Sequence, residues 1–354
     1  MSVLKNVKIY DLVIVGSGFG GSLLALAARR LGQSVLLLEK GRHPRFAIGE
    51  STSPMANLIL EQIAERYDLP CLLPLTAWGP WRRAYPDLGC GLKRGFTYYH
   101  HEAGKPYSPG ADGERALMVA GSPNTEVADT HWLRSDVDAF LVSKAIAAGT
   151  HYQDGVTLAA PAFDAVTKLT SITGRNESGE ISARARLLVD ATGPRGFLRE
   201  AFDLQDDTWP DYPVTEALYS HFTGVGRCDS MDEFRDPDSA PAAPYPPDDA
   251  ALHHVFDGGW MWVLRFGSGV TSAGLAVTSM LARDLNLADS AAAWNRFLER
   301  YPSIRLSLPR LSQFGRLSTR NVWRTDLVRQ RDRDGLCCRR RRPLWTRCSV
   351  QASR

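Results

Sequence analysis

Residues 11–41 read DLVIVGSGFGGSLLALAARRLGQSVLLLEKG, and this stretch decides the fold. A short apolar run, 12–15, is followed at once by Gly16-Ser17-Gly18-Phe19-Gly20-Gly21. Leu23, Leu24, Leu26 and Ala27 then follow a helical pattern, and a second apolar run, 35–38, is capped by Glu39. Strand, glycine turn, helix, strand and terminal carboxylate make a βαβ unit carrying the GxGxxG fingerprint of a dinucleotide site. Gly16 permits the tight turn, Gly18 lets a diphosphate approach the backbone, and Gly21 lets the helix pack close on the strand. The helix N-terminus offers unpaired N–H groups and partial positive charge to phosphates. Glu39 can accept hydrogen bonds from ribose hydroxyls.

The 354 residues have room for two domain-sized units or one large α/β unit with an insertion. A hydrophobic share of 44% and a mean hydropathy of −0.23 are ordinary for a soluble protein. The sequence holds no apolar run of about 18 residues and no apolar signal core before the first strand, so the expectation is a cytoplasmic protein with no membrane segment. Cys71, Cys90, Cys228, Cys337, Cys338 and Cys348 show no CxxC pairing and read as reduced thiols. His100, His101 and Glu102, like His253 and His254, are neighbours whose side chains alternate across a strand, so no metal site is expected.

Further along, Gly49-Glu50-Ser51-Thr52-Ser53-Pro54 leads into a helical pattern with Leu58, Leu60, Ile63 and Ala64 at core spacing and Tyr67 closing it. Pro70 and Pro74 end that region, and Trp78 and Trp81 are expected in the loop beyond. Lys93 precedes a strand rich in aromatics and Thr, 95–101. Residues 136–147 suit a helix with Ser135 as its N-cap. The run 187–190 enters the turn Ala191-Thr192-Gly193 and reads as a central strand returning beneath the same ligand. The Asp-, Pro- and Ala-rich stretch 229–249 reads as an exposed loop. Strands resume at 253–257, 260–266 and 271–277, with Gly267-Ser268-Gly269 as a hairpin turn. An amphipathic helix follows at 290–301, through Trp294, Phe297 and Leu298.

GSGFGG with Glu39, then GEST at 49–52, then the ATG turn at 191–193, resembles the flavin-dependent halogenase and geranylgeranyl-reductase-like branch of FAD oxidoreductases. The likeness spans roughly residues 10–309, in the family's order. Trp260-Met261-Trp262-Val263-Leu264-Arg265 resembles the WxWxIP signature, and Lys93 resembles the halogenases' active-site lysine. The resemblance implies an α/β fold with a Rossmann-type FAD-binding domain interleaved with a β-sheet-rich substrate domain. The FAD-binding parts would be 1–86 and 129–204, and the substrate parts 87–128 and 205–309. It implies FAD held by Gly16, Gly18, Phe19, Gly21, Glu39, Lys40, Glu50, Ser51, Thr52, Arg134, Asp190, Thr192 and Gly193. Lys93 would be catalytic, and Trp260 and Trp262 would wall the flavin from the substrate. In such enzymes reduced FAD and O₂ turn chloride or bromide into hypohalous acid, which the lysine guides or captures. An ammonium can hydrogen-bond that oxygen, and a desolvated lysine has a lowered pKa.

Leu264 and Arg265 depart from the signature's Ile-Pro, which keeps a flavin-dependent monooxygenase or an isoprenoid-type reductase open as the alternative. The substrate would be an electron-rich small molecule, free or carrier-tethered. No second convincing dinucleotide motif is present, so a separate flavin reductase is expected as a partner.

The tail departs from everything before it. Residues 316–354 carry twelve Arg and three Asp, a net +9 that leaves −6 on the rest of a chain whose total is +3. The family's next glycine-bearing turn is missing, and an Arg/Cys/Trp/Ser bias replaces it. Such a bias is what a GC-rich gene gives when read out of frame, so 310–354 is read as an aberrant, disordered or irregular basic tail produced by a frameshift. A non-catalytic remnant is a further alternative. Nucleic-acid binding is not expected, because Arg339–Arg342 is the only dense basic cluster and no aromatic platform interleaves it.

Overall fold

The strand Ile9–Val15 lies inside a seven-stranded sheet, with Val35–Leu38 on one side and Gly179–Asp190 on the other, both parallel to it. The computed structural model describes residues 7–110, 113–193, 196–204, 214–234 and 243–308, with only the strand backbone of 206–207, 318–320 and 326–327. Val13 stands opposite Leu36 and Leu188, and all four residues of Val35–Leu38 are buried. Burial on both faces explains why these strands read as unbroken apolar runs. One face carries Leu12, Ile14 and Leu37 against Leu26, Val137 and Leu141 of the helices Phe19–Arg30 and Arg134–Ala147. The other buries Val13, Leu36 and Leu188 with Ile172 and Ile181.

A second seven-stranded sheet runs Ser318–Arg320, Thr215–Thr223, Val270–Thr278, Gly259–Arg265, Ala251–Phe256, Gly95–His101 and Ala116–Ala120. Its pairs are antiparallel, except that Ala251–Phe256 and Gly95–His101 run parallel. Residues directly opposite share a face. One row across the sheet is therefore Tyr219, Gly274, Trp262, His253, Tyr98 and Leu117. The reverse face sends Met261, Val263 and Leu275 into a core with Trp294, Phe297 and Leu298 of the helix Ser290–Arg300. A small sheet of Cys90–Lys93 against Asp129–Trp132, extended by a bridge from Ser51 to His131, packs between the two large ones.

Several local expectations need correction. Ser135 is not an N-cap: the helix starts at Arg134, Leu133 precedes it, and the Ser135 hydroxyl bonds Asp136 instead. Pro70 opens a 3₁₀ turn, Pro70–Thr76, and Trp78 and Trp81 lie on the helix Trp78–Ala84, with Trp81 fully buried. Leu58 is 47% exposed, because the helix Pro54–Arg66 turns Asn57, Leu60 and Ala64 inward. The ends of the 229–249 stretch are anchored as well: Phe234, Tyr245 and Asp248 are buried, and the Tyr245 hydroxyl donates to the Phe96 carbonyl at 2.6 Å. Within the basic tail, Ser318–Arg320 pairs with Thr215–Thr223 and Asp326–Leu327 pairs with Asp206–Asp207. The rest of residues 309–354 lies outside the described residues.

Candidate functional site

The carboxyl ends of the parallel strands bring the glycine turn, Glu39 and the ATG turn together. Gly16 has φ +102°, and a Cβ there would stand 2.5 Å from the Ala191 carbonyl oxygen. A Cβ on Gly21 would overlap the Gly16 carbonyl. Only glycine lets turn, helix and neighbouring strand close on one another here. Gly18 caps the helix without any side-chain bond, which leaves the first N–H groups to an incoming acceptor. The guanidinium groups of Arg134 and Arg45 both lie 3.6 Å from the Cβ position of Gly18, with the Asp138 carboxylate, paired with both, at 3.8 Å.

Glu39 is buried. Its Oε2 accepts from the Ser17 N–H at 2.9 Å and the Ser17 hydroxyl at 3.0 Å, its Oε1 from the Gly41 N–H at 2.9 Å, and Arg45 approaches at 3.4 Å. Burial opposes its ionisation, but the two N–H donors and Arg45 outweigh that and hold the carboxyl below its usual range. Lys40, the next residue, is exposed. Phe19 lies under Arg134, whose guanidinium sits 4.6 Å from the ring centre. The same guanidinium grips Asp138 through two bonds of 2.9 Å and donates to the Ile48 carbonyl at 2.8 Å. Asp190 closes its own turn, accepting from the Thr192 N–H and hydroxyl and from the Leu198 N–H at 2.7 Å, and Gly193 has φ +89°.

These features fit an ADP-containing dinucleotide. Gly16 and Gly21 admit no Cβ, two guanidiniums flank Gly18, and Glu39 can exchange its longest contact, to Arg45, for a ribose hydroxyl.

The segment 46–52 links this end to the second sheet. Glu50 Oε1 lies 2.7 Å from His221 Nε2, and the Glu50 carbonyl accepts from the Trp132 N–H at 2.6 Å. Phe46 stacks on Tyr219 with ring centres 6.0 Å apart. Thr52 donates its N–H and hydroxyl to the Thr130 carbonyl, at 3.1 and 2.8 Å. The Ser51 hydroxyl is buried with no partner among the described residues.

Lys93 is fully buried. Its ammonium donates to the Thr52 carbonyl, sits 4.1 Å from the centre of the Phe96 ring, and faces Asp129 across the small sheet. Desolvation lowers its pKa to about 8, with Asp129 opposing the shift. Burial in turn raises the Asp129 carboxyl, against Lys93 and an Asn57 N–H donated at 2.7 Å.

Trp260 and Trp262 share the sheet face turned away from the helix Ser290–Arg300. Both are half-buried, and Trp262 donates to the Ser272 hydroxyl at 3.3 Å and packs 6.0 Å from Tyr219. Arg265, where the signature has proline, shares the opposite face with Met261 and Val263. It bonds Asp248 at 2.8 Å and the Val225 and Gly226 carbonyls at 3.0 and 2.6 Å, so it braces a loop away from the tryptophans.

Sequence reasoning missed His221, Asp129 and Asn57. A polar residue at the inward position of an apolar helix stripe, Asn57, was the one available signal. Among the described residues, no three His, Cys, Asp or Glu gather as a metal would need, and no helix is long and apolar enough to cross a membrane.

A mixed sheet with this glycine turn on its parallel strands, joined to a mostly antiparallel sheet with an aromatic face, defines a Rossmann-type dinucleotide-dependent protein. The family model for an NAD(P)-binding Rossmann-like domain matches residues 14–60. The chain is 30% identical over 303 residues to monodechloroaminopyrrolnitrin halogenase PrnC of Pseudomonas fluorescens, covering 83% of this chain and 50% of that one. It is 28% identical to tetracycline 7-halogenase of Kitasatospora aureofaciens, covering 90% of this chain and 55% of that one. Halogenase PltM in complex with phloroglucinol and FAD superposes with a TM-score of 0.74 at 22% identity, over 88% of this chain and 59% of that one, a likeness of fold. The chain belongs to the halogenase-like superfamily of FAD oxidoreductases. It spans about half the length of these relatives.

Proposed function

We propose that this chain is a FAD-dependent halogenase-type oxidoreductase acting on an electron-rich small molecule, with the parallel sheet as cofactor domain and the antiparallel sheet as substrate domain. The observation that carries the reading is Lys93, a buried ammonium held where the Glu50–Thr52 segment meets the aromatic sheet face. The N-terminus of the helix Phe19–Arg30, with Gly16, Gly18, Phe19 and Gly21, would hold the diphosphate. Glu39, with Lys40 alongside, would hold the ribose. Arg134, Glu50–Thr52, Asp190, Thr192 and Gly193 would border the rest. Reduced FAD, when bound, would supply the two electrons that bring O₂ to the peroxide level, an oxidant that takes two more from chloride or bromide; a separate reductase would deliver it. Lys93 orients the oxidised halogen species by donating a hydrogen bond, while Trp260 and Trp262 wall the substrate side. Arg265 gives the monooxygenase alternative no support, because it stands on the face away from the tryptophans.

The test supplies the purified chain with FADH₂, O₂ and bromide and follows bromine incorporation into resorcinol by mass spectrometry. Bromination that Lys93→Ala abolishes without loss of bound flavin is the expected result. Hydroxylated product formed independently of bromide would sink the reading, and so would full bromination by Lys93→Ala. Glu39→Gln should weaken FAD retention about tenfold, read by flavin absorbance after gel filtration.

A further inference from the structure

The second sheet ends on an open edge. Its last strand, Ala116–Ala120, pairs with Gly95–His101 on one side and with no strand among the described residues on the other. Edge strands are ordinarily guarded by a charge, a proline or a bulge. This one has none of them: its residues are Ala116, Leu117, Met118, Val119 and Ala120, paired one to one with residues 95–99. Leu117 and Val119 leave 58% and 45% of their surface to solvent.

The open edge has a definite hydrogen-bonding pattern. The His100 N–H donates to the Arg115 carbonyl and the Gly121 N–H to the Arg94 carbonyl, both at 2.8 Å. Residues of an antiparallel ladder alternate between facing the partner strand and facing away from it. Leu117 and Val119 therefore turn their backbone groups inward, toward Tyr98 and Phe96, while Ala116, Met118 and Ala120 turn theirs outward. The Ala116 N–H is taken by the Gly113 carbonyl at 3.0 Å. The outward set is then the Ala116 carbonyl, the Met118 N–H and carbonyl, and the Ala120 N–H and carbonyl. That set is self-complementary. With Met118 on a two-fold axis, an antiparallel second copy brings the two Met118 residues opposite each other, each donating to the other's carbonyl. The Ala120 N–H meets the second copy's Ala116 carbonyl, and the engaged Ala116 N–H costs only a bond to the second copy's Ala120 carbonyl. Side chains match in the same register: Leu117 lies opposite Val119 and Ala116 opposite Ala120. Arg115 falls opposite Gly121 and Glu114 opposite Ser122, so no like charges meet across the axis.

We infer that Ala116–Ala120 is the interface of a two-fold dimer of this chain, in which the second sheets of two copies join edge to edge with Met118 at the axis. The occupant is a second copy because one strand supplies both halves of the pattern: the donors and acceptors it leaves open are those its own antiparallel image requires. Five residues a side is small against the roughly 20–30 of a standard interface. The dimer is therefore weak and concentration-dependent, held by ladder bonds and the Leu117–Val119 contacts. The inference goes beyond the proposed function and does not rest on the chemistry at Lys93.

Sedimentation equilibrium of the intact chain over about 1–300 µM tests it. The weight-average mass should rise from one chain toward two and stop there. Met118→Pro removes an N–H that points outward, so the strand keeps its bonds to Gly95–His101; this variant should stay at the mass of one chain with its melting temperature within about 3 °C of the wild type. Met118→Lys and Met118→Glu each put like charges at the axis and should be monomeric alone. Mixed in equal amounts they should associate, because opposite charges then face each other, and this arm tests the register even if the proline variant folds poorly. A wild type that remains at one chain throughout, a mass that climbs past two, association that survives Met118→Pro, or a Lys/Glu mixture that stays monomeric would overturn the inference.

Discussion

Burying Lys93 should leave a signature in how stability depends on pH. Its amine falls from 10.5 to about 8 in the folded chain, mainly through desolvation. Between those values the unfolded chain holds a proton that the folded chain has released, so the free energy of unfolding must rise with pH across this window. The slope is about 1.4 kcal/mol per pH unit, and the full window gives a gain of about 3 kcal/mol. Below pH 8 both states are protonated and the burial penalty is complete; above 10.5 both are neutral and it is gone. Other alkaline groups, including the buried tyrosines and cysteines, titrate too, so the wild-type curve alone cannot isolate Lys93.

Lys93→Met supplies the reference. It removes the titrating group and leaves Asp129 without its cation; the same pair of measurements in an Asp129→Asn background takes that carboxyl out of the comparison. Denaturant unfolding of both proteins at pH 7.5, 8.5, 9.5 and 10 gives a stability difference at each pH. Relative to the variant, the wild type should gain about 2–3 kcal/mol across this range. The sign at pH 7.5 is not the test, because removal of the penalty and the stranded Asp129 oppose each other. Parallel curves for the two proteins would refute the reasoning, since they would mean that Lys93 is protonated throughout and that its burial does not govern its pKa.

Gly21→Ala would drive a methyl into the Gly16 carbonyl, so the helix must retreat from the strand; flavin retention after gel filtration should be lost, and full retention would contradict the close-packing argument. Asp248→Ala leaves Arg265 as a largely buried cation with only carbonyl partners. It should cost about 3–5 kcal/mol in denaturant unfolding, whereas a loss below about 1 kcal/mol would show that the pair is expendable. His221→Phe removes the donor to the buried Glu50. A loss of about 1.5–3 kcal/mol is expected, and the Glu50→Gln/His221→Phe double variant should recover part of it, as measured by thermal unfolding.

What the sequence made legible was local or periodic. The glycine turn, its helix and Glu39 lie within about 30 residues, and their contacts follow from a unit that folds on itself. Trp260 and Trp262 share a face by the two-residue period of a strand, whichever neighbours pair with it. The missed features depend on distant pairings. Glu50 meets His221 across 171 positions, and Asn57 meets Asp129 across 72. The strand Asp129–Trp132 has only four residues, all buried, so it offers no alternation to read. Leu58 shows the tertiary structure overriding a pattern: helical spacing favours it for the core, but the inward position beside Leu60 goes to Asn57, whose amide is needed by Asp129. Arg265 is a substitution whose meaning changes with its face. In the sequence it disturbs a signature, whereas in the fold it ties down the loop at 225–226.

The segment 45–52 joins the two sheets largely through polar groups, and its Glu50 and Thr52 are buried. Each residue type is spent on a different crosslink. Arg45 reaches Glu39 at 3.4 Å and Asp138 at 4.0 Å, the Ile48 carbonyl receives Arg134, Glu50 receives His221, and the Thr52 carbonyl receives Lys93. Phe46 gives its ring to Tyr219 and His221 of the other sheet. An apolar strap could have joined the sheets by burial alone, but without fixing the carboxylates and the ammonium at set positions. Polar crosslinks are directional, so they hold those groups at set positions. The same wiring means that a substitution in this segment perturbs the glycine-turn end and the Lys93 end together. Flavin retention, bromination and unfolding must therefore be measured on the same variant before a role is assigned to any of these residues.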